Sequence, residues 1–133
     1  QKDDFVAKIN RITKKAGVAA VYDSVGKDTY PGSLEVMQPF GMFVSFGQSS
    51  GPIPDFKLAD LSAHGSLFAT RPTLFAFIAT QQDLQRRSRQ LFKMIKDEKI
   101  KIQINQTYEL RDVAKAHRDL EARKTTGQTI LIP

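Results

Sequence analysis

Two stretches decide the fold: Val18-Ala19-Ala20-Val21-Tyr22-Asp23-Ser24-Val25-Gly26 and, about twenty residues on, Met42-Phe43-Val44-Ser45-Phe46-Gly47-Gln48-Ser49-Ser50-Gly51. Each is a short apolar run that breaks off into a Gly/Ser tip. Continuous apolar runs of this length suit strands buried on both faces, as in a parallel sheet. Between them, Leu34 and Met37 are spaced for a helix over 28–38, with Pro31 in its first turn and Gly41 placed to close it. Strand, helix and strand with short connections make a βαβ unit, which implies parallel strands. In open α/β sheets the ligand sits at the carboxyl ends of the strands, so the two tips are the first candidate site.

Working outward, Phe5, Ile9 and Ile12 mark one face of an amphipathic helix over 3–15, with Asp3 and Asp4 at the positive end of its dipole. Downstream, Pro52 and Pro54 define a loop. A short helix is expected over Phe56 to Leu61 and a third strand within Gly65 to Thr70. The state of 73–80 is open. A long helix is expected over Gln82 to Asp97. Ile100, Ile102 and Ile104 alternate with polar residues, the pattern of a half-buried strand. A further helix follows over Arg111 to Arg123, then a closing strand over Thr129 to Pro133. The change in strand type places a domain boundary near Arg71-Pro72. The second stretch is too small to enclose its own core and is expected to pack on something else.

The 133 residues suffice for one domain with a core, and 41% hydrophobic and 26% charged residues are those of an ordinary soluble protein. No apolar run approaches the roughly 20 residues of a membrane helix, and no signal peptide is visible at the start. The chain has no cysteine, which removes disulfides, thiolate metal ligands and Cys nucleophiles. The net charge of +6 is densest from Arg86 to Lys101. Leu84, Leu91 and Ile95 are interleaved there without aromatic platforms, so the stretch reads as a solvated helix face before a nucleic-acid patch.

Taken in order, Val21-Tyr22-Asp23-Ser24-Val25-Gly26, Val44-Ser45-Phe46-Gly47-Gln48-Ser49-Ser50-Gly51, Gly65-Ser66-Leu67 and Thr70-Arg71-Pro72 resemble the quinone oxidoreductase (zeta-crystallin-like) branch of the zinc-independent medium-chain dehydrogenase/reductases. The tail, with Ala116-His117, Leu120-Glu121-Ala122-Arg123, Gly127 and Leu131-Ile132-Pro133, resembles the C-terminus of that branch. The resemblance covers essentially the whole chain. It implies an α/β fold made of the C-terminal half of a Rossmann-type parallel sheet (1–72) and a C-terminal segment returning to a GroES-like catalytic domain (73–133). The chain would then be the C-terminal part of a longer cytoplasmic enzyme and inactive alone. It would act as a homodimer paired through the third strand and move a hydride from NADPH to a quinone without metal, nucleic acid or membrane. The same scaffold also serves as a non-catalytic crystallin, which stands as the alternative.

The resemblance further implies a cofactor site. Ser24 and Val25 match the fourth Rossmann strand tip. Phe46, Gly47, Ser49 and Ser50 match the fifth, lining the nicotinamide ribose. Arg71 matches an arginine near the cleft, and Arg123 one that approaches the adenosine 2′-phosphate, where a guanidinium binds bidentately. Gln48 stands where the branch often has a smaller amide. The pyrophosphate turn G-x-G-x-x-G is not in this sequence. No catalytic acid or base is expected among the side chains, and no metal ligands, His64 and His117 being too far apart for a paired motif. The residues also admit plainer readings. Asp23 suits a turn or helix-start acceptor, the serines suit loop hydroxyls, Arg123 suits a helix dipole, and Phe68, Phe75 and Phe77 suit a core, an interface or a quinone-facing wall.

Overall fold

A computed structural model describes residues 4–133, which form two compact units divided between Phe77 and Ile78. Asp3, expected at the start of the first helix, lies outside the described residues. In the first unit the order is α1 (Phe5–Ile12), β1 (Val18–Asp23), α2 (Tyr30–Glu35), β2 (Met37–Ser45), α3 (Leu58–Ala63), β3 (Phe68–Thr70) and α4 (Leu74–Phe77). The three strands lie side by side in chain order and are all parallel, as the apolar runs led one to expect. Val21 pairs with Phe43 and Asp23 with Ser45, so both tips leave the sheet at the same level.

Asp4 caps α1 by accepting the Ala7 amide at 3.0 Å. Helix α1 packs closely on α2 at Gly32, where any Cβ would meet Val6 and Phe5 within 3 Å. Ile12 is 75% exposed, so the apolar face of α1 ends one turn earlier than the spacing suggests. The core lies between α2 and the sheet: Tyr30, Leu34, Met37, Phe43 and Leu67 are buried together, with Val21, Ile53 and Leu61 against them. The Tyr30 ring packs on Phe43 and edge-on to Phe56, and its hydroxyl donates to Asp60 Oδ2 at 3.0 Å, tying α2 to α3.

Three expectations fail here. Helix α2 stops at Glu35, and Gly41 does not close it but lies buried within β2. The Val18 amide donates to the Val36 carbonyl and Val18 pairs with Met37, which draws residues 37–40 into the sheet across an irregularity at left-handed Phe40. Strand β1 is not buried on both faces: it is an outer strand of the sheet, and Tyr22 is 74% exposed. Of the readings offered for Phe68, Phe75 and Phe77, the core fails, since all three are exposed in this chain.

The second unit contains α5 (Gln81–Lys96), β4 (Ile104–Glu109), a 3-10 turn (Leu110–Asp112), α6 (Val113–Glu121) and β5 (Gln128–Ile132). Thr80 caps α5 by accepting the Asp83 amide at 3.0 Å. Strands β4 and β5 pair in parallel around α6, making a second small βαβ unit. Ala116 is the one buried residue among the described residues of this unit. The strand expected from Ile100 begins only at Ile104. The amides of Lys99 and Ile100 both donate to the Met94 carbonyl, so these residues finish α5 instead.

Four helices share one way of ending. Helix α3 closes on Gly65 in the left-handed region, the usual residue there. Helices α1, α5 and α6 close on Lys14, Glu98 and Arg123, also left-handed. The next amides, those of Lys15, Lys99 and Lys124, reach back to the carbonyls of Asn10, Met94 and Asp119.

Candidate functional site

The parallel register brings the ends of β1 and β2 together, and the chain then zips the two tips. The Phe46 amide donates to the Asp23 carbonyl at 2.9 Å, that of Ser49 to Ser24 at 3.2 Å and that of Ser50 to Val25 at 2.9 Å. In return, the Lys27 amide donates to the Gly51 carbonyl at 3.1 Å. Gly47 lies so close to Ser24 that a Cβ there would stand 2.5 Å from the Ser24 carbonyl oxygen. Only glycine permits that backbone approach.

Of the sequence-predicted residues, Ser24, Val25, Phe46, Gly47, Ser49 and Ser50 thus share one rim. Ser24, Phe46 and Ser49 are exposed on it. Ser50 is different, because its hydroxyl donates to the Val25 carbonyl at 2.8 Å and accepts the Asp28 amide at 3.0 Å. Arg71 reaches the same strand ends from β3, its guanidinium donating to the Ser45 carbonyl at 2.8 Å. It lines an apolar hollow of about 250 Å³ with Phe43, Ser45, Ile53, Phe56 and Thr70. Arg123 belongs to the second unit, exposed at the left-handed residue just past α6. It is therefore a helix-closing residue, in a conformation it shares with Lys14 and Glu98.

Beneath the rim lies Asp23, which the sequence suggested as a turn acceptor and which is 4% exposed. Its Oδ1 accepts the amides of Val25 at 2.8 Å and Gly26 at 2.9 Å, and its Oδ2 accepts the hydroxyls of Thr29 at 2.8 Å and Ser33 at 2.9 Å. Burial pushes this carboxyl up, but the Gly26 amide, the Thr29 hydroxyl, the Val25 amide and the Ser33 hydroxyl together hold it below the ordinary carboxylate range. The signal was present in the sequence: Thr29 and Ser33, four apart, fall on one helix face above the end of β1.

This is an open parallel α/β sheet of the Rossmann type with two glycine-bearing tips joined at its carboxyl edge, the class of protein that holds nucleotides there. The sequence model of the zinc-binding dehydrogenases matches residues 1–131, and the chain belongs to that family, the medium-chain dehydrogenase/reductases of which its motifs are typical. Quinone oxidoreductase of Salmonella typhimurium is 43% identical over 100% of this chain and 41% of its own length. A 2-haloacrylate reductase from Burkholderia is 36% identical over 98% of this chain and 39% of its own. The crystal structure of Escherichia coli quinone oxidoreductase complexed with NADPH superimposes with a TM-score of 0.87 at 42% identity, over 99% of this chain and 41% of that one. The chain thus spans about two fifths of the length of the relatives it matches.

The family description raises zinc, and the donors in this chain do not fit it. The sequence has no cysteine, and among the described residues no three His, Asp or Glu side chains gather as a metal would require. His64 Nδ1 lies 2.7 Å from the Asp60 carbonyl at the end of α3, and His117 stands on α6. The rim does fit a nucleotide's ribose and amide: it offers exposed hydroxyls on Ser24 and Ser49, backbone groups at Gly47, and the half-exposed ring of Phe46. Among the described residues no helix is long and apolar enough to cross a membrane.

Proposed function

We propose that this chain is the C-terminal part of a cytoplasmic, homodimeric oxidoreductase that transfers a hydride from NADPH to a quinone. Residues 1–72 would complete the cofactor-binding Rossmann domain, and 73–133 would return to a GroES-like catalytic domain. The observation that carries the reading is the joined rim at the carboxyl ends of β1 and β2, closed by the Gly47–Ser24 backbone contact. The relatives' names and the NADPH in the Escherichia coli structure support the choice of cofactor and acceptor.

In this reading Ser24, Val25, Phe46, Gly47, Ser49 and Ser50 form the floor under the nicotinamide and its ribose. Gly47 lets the two tips close on each other beneath the cofactor, and Phe46 gives the cofactor an apolar wall. Arg71 stands at the cleft, braced on Ser45, and Arg123 meets the 2′-phosphate. The cofactor, when bound, supplies the hydride; the chain orients it and excludes water. No side-chain acid or base is assigned.

The test compares NADPH oxidation with a simple quinone in this chain and in the full-length protein. Turnover in the full-length protein alone supports the reading. A folded full-length protein that neither binds NADPH nor reduces a quinone overturns it.

A further inference from the structure

The Val25–Asp28 turn is gripped from two sides, by a carboxylate beneath the rim and by a rim hydroxyl turned onto the turn itself. From below, Asp23 Oδ1 accepts the amides of Val25 and Gly26. From the side, the Ser50 hydroxyl donates to the Val25 carbonyl and accepts the Asp28 amide. The Val25 peptide groups are thereby held at both their N–H and C=O ends. The second oxygen of Asp23 is anchored by Thr29 and Ser33 to the start of α2, so the grip is referred to the packed core. A carboxylate held ionised keeps both oxygens as acceptors at neutral pH, which a four-donor arrangement requires.

We propose that Asp23 and Ser50 are positioning residues for the cofactor: they set the Val25–Asp28 turn, and Ser24 and Val25 on it make the contact. This rests on the cofactor reading above and corrects it in one respect, since the Ser50 hydroxyl acts through the turn and not on the cofactor. Its single proton is committed to the Val25 carbonyl, so it has none to donate to a cofactor.

The experiment measures amide hydrogen exchange over residues 24–28 in the cofactor-free full-length protein, and NADPH affinity by fluorescence titration. Ser50→Ala, Ser50→Thr and Asp23→Ala are compared with the parent. Ser50→Ala is expected to speed exchange and to weaken NADPH by about fivefold each, the effect of losing an ordinary hydrogen bond. Ser50→Thr keeps the hydroxyl and restores both. Asp23→Ala has the larger effect on the Val25 and Gly26 amides; if it fails to fold, the Ser50 pair carries the test alone. Weaker NADPH binding with unchanged exchange would make Ser50 a direct ligand and overturn the proposal. Faster exchange with unchanged binding would also overturn it. A parent protein that does not bind NADPH at all is a separate result, since it removes the functional reading itself.

Discussion

Replacing Gly47 with alanine places a methyl group where the backbone leaves no room. Its Cβ would lie 2.5 Å from the Ser24 carbonyl oxygen, 2.8 Å from Ser24 Cα and 3.0 Å from the carbonyl carbon. Non-bonded carbon settles at about 3.5 Å from its neighbours, so the two tips must part by about 1 Å. All three atoms are backbone, and no side chain can swing aside. The Ser49 amide already spans 3.2 Å to Ser24, and another ångström breaks that bond and stretches its neighbours from Phe46 and Ser50. Overpacking costs roughly 1–3 kcal/mol and a lost hydrogen bond roughly 1 kcal/mol, so Gly47→Ala should destabilise by about 2–4 kcal/mol. At a site that positions a cofactor, a 1 Å displacement lowers kcat/KM about a hundredfold, or about 2.7 kcal/mol of barrier. Urea unfolding followed by circular dichroism reads the first effect. NADPH oxidation with a quinone, in the full-length protein, reads the second. A variant with stability within about 0.5 kcal/mol of the parent would refute the steric argument. A destabilised variant with undiminished kcat/KM would refute the placing of the cofactor on this rim.

Arg123→Ala in the full-length protein should weaken NADPH more than NADH by about 1–3 kcal/mol, the loss of a charge-assisted contact; equal weakening in titrations of both removes the 2′-phosphate role. Burial, then the hydrogen bond to Asp60 and its charge, pushes the Tyr30 hydroxyl up to about 12. Its stabilising effect is therefore complete below the unfolded value of about 10 and is lost as pH rises through the folded one. Tyr30→Phe should flatten the decline in unfolding free energy over that alkaline window, and an unchanged slope would count against the burial of this group. Asp23 behaves in the opposite sense: its lowered value gives stability present above about pH 3.9 and lost as pH falls through the folded value. Acid unfolding of Asp23→Asn, followed by circular dichroism, should be less steep there. Phe43, 2% exposed, anchors the core, and Phe43→Ala should cost about 3–5 kcal/mol in urea unfolding.

The parallel sheet was legible because Val18–Tyr22 is apolar without a break, Met42–Phe46 is apolar but for Ser45, and each leads into a glycine-bearing tip. The rim followed from the same two runs, since equal register puts their ends together. Strand β4 was misplaced because its residues Asn105, Gln106 and Thr107 carry no apolar alternation, while Ile100 and Ile102 just before them do. The claim of the α5 ending on residues 98–100 is a backbone matter that side-chain patterns do not record. The full extent of β2 was hidden for a related reason: Met37 continues a helical spacing, yet the Val18–Val36 hydrogen bond starts the ladder there. Asp23 was read correctly as an acceptor, but its four donors come from the turn and from α2 together, and only the folded chain shows that one carboxylate serves both. The double use of the Ser50 hydroxyl depends on contacts 22 and 25 residues apart and has no local signature.

The left-handed endings of α1, α5 and α6 give a built-in comparison between robustness and activity. Glycine at 14, 98 or 123 would relieve a conformation that costs an L-residue roughly 1 kcal/mol or more. At 14 and 98 nothing in the proposed chemistry opposes the exchange, whereas at 123 the guanidinium would be lost. A selection for heat resistance alone would favour glycine at all three places without distinction. A selection that also demanded turnover on NADPH would accept it at 14 and 98 and keep arginine at 123.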